Sequence, residues 1–162
     1  MRLATLAALV SPLLAVSCAE QQPQEAAACG GANGIVASEA WVRAAPEGAP
    51  MSAAYLVLCN GGAADRLVGA TFEGAGAVEL HVSSTSEDGM TGMSQMKEGL
   101  PLPAGETVTL APGGSHIMLI GIDARIADGD APAIMLEFEN APPLAVTLDV
   151  RNPAEAAEHS GH

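Results

Sequence analysis

The chain has 162 residues, enough for one domain with tails and a sizeable core. Nineteen Asp and Glu against six Lys and Arg give a formal net charge of −13. That charge repels nucleic-acid phosphate and anionic lipid, and favours a cation or a basic partner.

In chain order, residues 1–17 read as an export signal. Arg2 supplies a minimal positive charge, and Leu3 to Val16 an apolar stretch too short to cross a bilayer as a mature helix. Ala15 and Ser17 are small residues of the kind a signal peptidase reads, and Cys18 follows directly. The segment is similar to a bacterial lipoprotein signal, except that Ala15 stands where Leu is usual and Leu14 lies one place earlier. Lipidation of Cys18 is the expectation, with a soluble exported protein as the alternative. Residues 18–34 are polar, small and Gly-rich, a lipid-anchored flexible tether. With Cys18 lipidated, Cys29 and Cys59 remain as an even pair, either bonded in an oxidising compartment or left as two thiols.

Residues 35–151 carry short apolar runs separated by Gly and Pro. The runs predict strands over Ile35–Val42, Ala53–Cys59, Arg66–Ala70, Ala77–Val82, Glu106–Leu110, His116–Ile120, Ala133–Glu139 and Leu144–Val150. Turn signals punctuate them, among them Asn60-Gly61-Gly62, Pro112-Gly113-Gly114 and Pro142-Pro143. No stretch keeps a helical apolar period, so the expected fold is one all-β domain, an antiparallel sandwich or barrel. The only aromatics are Trp41, Tyr55, Phe72 and Phe138, so Val, Leu, Ile, Met and Ala have to build its core. Residues 152–162 read as a disordered tail with His159 and His162, able to catch a metal or to do nothing.

The chemistry concentrates at two places. In a strand, residues two apart project to one face, so His116 and Met118 present an imidazole and a thioether side by side while Ile117 and Leu119 face the core. His81 shares a face with Glu79, opposite Val78, Leu80 and Val82, and is expected to be accessible. After it come Met90, Met93 and Met96, between the turn Glu87-Asp88-Gly89 and the next strand, which places them in a loop. Thioethers are soft donors that favour copper(I), imidazole suits copper too, and hard cations would want carboxylates. Two Met and two His are neutral, so such a site keeps the ion's single positive charge. Outside the cytoplasm Met also avoids disulfide formation, although it can be oxidised to the sulfoxide.

These residues resemble the PCu(A)C family of periplasmic copper chaperones. That family carries a His, then a Met, then a His-x-Met. Here His81 is followed twelve residues later by Met93, and Met93 twenty-three later by His116 and then Met118, each spacing one residue longer than usual. The resemblance runs from Ile35 to Arg151. It includes Ala40-Trp41-Val42-Arg43, Ala53-Ala54-Tyr55-Leu56, Ala64-Asp65-Arg66-Leu67-Val68, Glu79-Leu80-His81, Leu102-Pro103-Ala104-Gly105 and Pro112 to Leu119. It implies a cupredoxin-like fold, copper(I) held by His81, Met93, His116 and Met118, and delivery to a copper-receiving protein of respiratory oxidase assembly. It also favours Met93 as the ligand and Met96 as a core residue, while the longer spacings leave Met90 as a substitute or an extra donor.

Two other classes compete. An electron-transfer cupredoxin needs a Cys thiolate with two His and a weak Met, and only Cys59 is available. An Ig-like interaction lipoprotein without metal explains the strands but not the His and Met spacing. No enzyme is expected, since no nucleophile elbow or phosphate-binding Gly loop is present. The expected product is a periplasmic monomer, with no nucleic-acid partner, that touches the membrane only through its lipid.

Overall fold

A computed structural model describes residues 33–85 and 89–152. The expected signal segment, Cys18, Cys29, and the tail with His159 and His162 lie outside the described residues.

Eleven strands are described: β1 Ile35–Arg43, β2 Met51–Asn60, β3 Asp65–Phe72, β4 Ala75–Thr85, β5 Thr91–Gln95, β6 Leu100–Leu102, β7 Thr107–Leu110, β8 Ser115–Ile122, β9 Ala133–Phe138, β10 Leu144–Thr147 and β11 Asp149–Arg151. They form two sheets. The larger runs β11-β1-β2-β8-β4-β5, with β7 also paired to β2; the smaller runs β10-β9-β3-β6. This is a cupredoxin-like β-sandwich.

The alternating pattern explains the packing. Ala54, Leu56 and Leu58 of β2, Leu80 of β4 and Ile117 and Leu119 of β8 point inward from the larger sheet. They meet Leu67, Phe72, Ile134, Leu136, Phe138 and Val146 of the smaller one. Burying each such Leu or Ile contributes about 1.5–3 kcal/mol, so the aliphatic core compensates for the scarcity of aromatics.

The structure corrects the expected strands in three ways. Pairing is antiparallel except between β1 and β11, which is parallel, with Trp41 opposite Asp149. The single strand expected over Leu144–Val150 is two: β10 pairs with β9, then the chain crosses at Leu148, buried and bonded through its N–H to the Pro132 carbonyl, and β11 joins the larger sheet. Met93 is in a strand, β5, and not in a loop.

One irregularity positions the functional face. The β1–β2 register shifts between Ser38 and Trp41: Ser38 faces Val57, and Trp41 faces Tyr55. One extra residue on β1 forms a bulge, with Glu39 at φ 51°. Before the bulge Ala37 packs toward the core opposite Leu58; after it Val42 does so opposite Ala54. The bulge therefore turns Trp41 away from the core and onto the outer face of the larger sheet.

Candidate metal centre

The outer face of the larger sheet carries a row of rings. His81 on β4 is the register partner of His116 on β8, and their ring centroids lie 5.9 Å apart at an interplanar angle of 50°. Tyr55 on β2 stands 6.2 Å beyond His116, and Trp41 on β1 packs 4.4 Å from Tyr55. Arg151 closes the row, its guanidinium carbon 5.1 Å from the Trp41 ring centroid. Trp41, Ala53 and Tyr55 form a second small apolar cluster, separate from the main core. Burial pushes the Tyr55 hydroxyl pKa up, partly opposed by the Arg43 charge, so the phenol stays neutral.

Met118 occupies the neighbouring row. It faces Glu79 on one side and Ala53 on the other and is 7% exposed. The period-two reading of His116 and Met118 holds: both are on the outer face, with Ile117 fully buried between them. Met93 faces Ser83, and Gln95, two positions on, faces His81. Met93 therefore points to the same side as His81 and His116, and at 57% exposure it is far more open than Met118. Met90 lies outside β5 and is exposed, while Met96 packs against the main core as expected.

Hydrogen bonds give each imidazole an orientation. His116 is 5% exposed, and its Nδ1–H donates to the Gly114 carbonyl at 3.0 Å. That carbonyl is held by the turn before β8, where Gly113 sits at φ 80° and the Gly114 N–H bonds to Ala111. With its proton on Nδ1, His116 keeps the Nε2 lone pair free. His81 is arranged the other way. Its Nε2 lies 2.8 Å from the Glu79 carboxylate, and its Nδ1 is buried without a hydrogen-bond partner. A buried polar atom left unsatisfied costs roughly 1–3 kcal/mol, a cost that a bound cation would remove. Among the described residues no three of His, Cys, Asp and Glu come together as a metal site. The thioethers of Met93 and Met118 lie on the same face as the two imidazoles. The donor set fits a soft cation.

The four sequence-derived residues thus share one sheet face. Sequence reasoning named Glu79 only as a face-mate of His81 and did not find its hydrogen bond. It also missed the Trp41–Tyr55 wall. The parity of β2 contained that signal, because Ala53 and Tyr55 alternate with inward Ala54 and Leu56. Cys59 lies on β2, opposite Val36 and Thr107, and is disulfide-bonded.

Fold and site define a cupredoxin-like domain with imidazoles and thioethers on one sheet face. The chain belongs to the LpqE-like family, whose model, described as "Putative lipoprotein LpqE-like", matches residues 35–150. A relative from Leifsonia xyli subsp. xyli, "Putative lipoprotein Lxx21020", is 37% identical over 161 residues, covering 98% of this chain and 94% of that protein. Among solved structures, the copper-bound PCuAC domain from PmoF2 matches with a TM-score of 0.62 and 28% identity, over 74% of this chain and 93% of that one. The solution structure of CuI-DR1885 from Deinococcus radiodurans matches with a TM-score of 0.57 and 32% identity, over 72% and 76% respectively.

Proposed function

We propose that this protein is a copper chaperone, an exported lipoprotein that holds one copper(I) ion through His81, Met93, His116 and Met118 and passes it to another protein. The observation that carries the reading is the register pairing of His81 with His116, each with one ring nitrogen free, beside buried Met118. Likeness to copper-bound PCuAC domains supports copper as the cargo. Soft, neutral donors select copper(I) over hard cations. The chain's net charge of −13 draws a cation toward the site.

A carrier must release what it binds. His116 and Met118 are buried and form the fixed part of the site, whereas exposed Met93 is the ligand an acceptor can displace first. Respiratory oxidase assembly is the proposed destination, with a copper-receiving protein as partner. The protein acts as a monomer, neither as an enzyme nor as a nucleic-acid binder. The family description and the Leifsonia relative's name support lipidation, for which Cys18 is the proposed residue. The bonded state of Cys59 supports an oxidising compartment such as the periplasm.

The same bond weighs against an electron-transfer role, which needs a free thiolate on copper. Copper stoichiometry under reducing conditions tests the proposal. One copper(I) per chain, weakened in Met118→Ala, is the expected result. A chain that stays metal-free would favour the interaction-lipoprotein reading, and a blue copper(II) form the electron-transfer one.

A further inference from the structure

We propose that Glu79 is the positioning residue of the copper site: its carboxylate holds the His81 proton on Nε2 and so presents Nδ1 to the metal. The inference rests on the copper reading above and adds a role for a residue outside the donor set.

Three observations meet here. First, Glu79 and His81 are two apart on β4 and share the outer face, with Oε2 and Nε2 2.8 Å apart. An ionised carboxylate only accepts, so the proton of a neutral imidazole sits on Nε2 and the lone pair on Nδ1. Second, Nδ1 is buried and has no hydrogen-bond partner in the protein. A buried nitrogen without a partner is uncommon in a folded protein, and its lone pair is open to a ligand. Third, Glu79 faces Met118 across the β4–β8 ladder, and His81 faces His116. The carboxylate is thereby fixed beside two proposed ligands without being one of them. Its side chain and that of His81 are 33% and 16% exposed, so the contact is sheltered from competing water.

The two imidazoles are consequently set in opposite tautomers by different acceptors: His116 by the Gly114 carbonyl through Nδ1, and His81 by Glu79 through Nε2. The backbone carbonyl is part of the turn, so no side-chain change removes it. The carboxylate is a side chain, so the His81 half of the arrangement can be switched off alone. Such outer partners of metal-ligating His fix the ring's orientation and raise its basicity as a ligand.

The test uses Glu79→Ala and Glu79→Gln, with His81→Ala as control. Nitrogen-15 NMR of the metal-free protein, above the ordinary titration range of imidazole, reads the His81 tautomer without copper. Copper(I) competition titration reads affinity. Wild type is expected to hold the Nε2–H tautomer and Glu79→Ala to lose it, with affinity falling about 10–100-fold. Glu79→Gln, whose amide oxygen still accepts, should keep the tautomer and recover most of the affinity. An unchanged tautomer in Glu79→Ala overturns the inference, as does a changed tautomer with unchanged affinity. Equal losses in Glu79→Gln and Glu79→Ala overturn it in favour of simple charge. If His81→Ala binds copper(I) as wild type does, the copper reading of His81 fails, and that outcome is separate because the tautomer measurement contains no metal.

Discussion

His81 and His116 face each other across the β4–β8 ladder with ring centroids 5.9 Å apart, although they are thirty-five residues apart in sequence. Register alone makes them neighbours, because each is on the outward parity of its strand. A one-residue slip of β8 would send His116 inward and Ile117 outward.

Met93 and Met118 should respond differently to Met→Leu substitution. Leu conserves volume and removes the thioether, so stability should change by less than about 1.5 kcal/mol at either position. Both variants should bind copper(I) more than about tenfold more weakly, which corresponds to ~1.4 kcal/mol. The difference lies in exchange. Met118 is buried and Met93 is 57% exposed, so Met93→Leu, which leaves the outer position open to an incoming ligand, should speed copper transfer to an acceptor chelator more than Met118→Leu does. Stopped-flow transfer measured beside equilibrium titration checks this.

The Trp41–Tyr55 wall should matter to the site through His116. Tyr55→Phe keeps the ring 6.2 Å from His116 and should leave copper binding near wild type. Tyr55→Ala removes the support on that side and opens the small outer cluster, with an expected stability loss of about 3 kcal/mol. Urea unfolding followed by Trp41 fluorescence measures it, since Trp41 is the chain's only tryptophan.

Asp65 sets an acid limit on stability. Desolvation raises its pKa, but hydrogen bonds from the Arg66, Ala141 and Asn140 N–H groups and the Asn140 side chain together bring it below the ordinary 3.8. A carboxyl held lower in the folded state than in the unfolded one contributes stability above the unfolded pKa. That contribution disappears as pH falls through the folded pKa. The protein should therefore lose stability on acidification below about pH 4. Asp65→Ala should be less stable at neutral pH and show a flatter decline below that point. Thermal unfolding across the acid range would reveal the slope, and an unchanged slope in the variant would show that other carboxylates govern it.

Reduction should destabilise the domain through Cys59. Loss of a native disulfide from a small exported domain costs about 2–5 kcal/mol, and Cys59→Ser should reproduce the effect of reductant. Denaturant midpoints with and without a phosphine reductant make the comparison. Peptide mapping identifies the partner; Cys29 is the expected one.

The sequence made some of this legible and hid the rest for physical reasons. Strict alternation in His116-Ile117-Met118 and around His81 put His81, His116 and Met118 on an outward face, because parity is a local property of a strand. β5 was hidden because it is a polar edge strand, exposed along its whole length, with no apolar face to show. β6 was hidden by Pro101, which is tolerated there because β6 is at the edge of the smaller sheet. The crossing at Leu148 and the bulge at Glu39 are long-range choices: each depends on which sheet the next residues join. Without the bulge, the parity of β1 would put Trp41 in the core.

The proposed chaperone binds copper(I) through imidazoles and thioethers gathered on the outer face of the larger sheet. Copper(I) titration of the reduced-copper complex against a chromophoric competitor, comparing wild type with the His116→Ala, Met118→Ala double variant, tests it most directly. Circular dichroism should confirm that the variant is folded. One tightly bound copper(I) per wild-type chain and its loss in the folded variant is the predicted result; equal stoichiometry and affinity in both would contradict it.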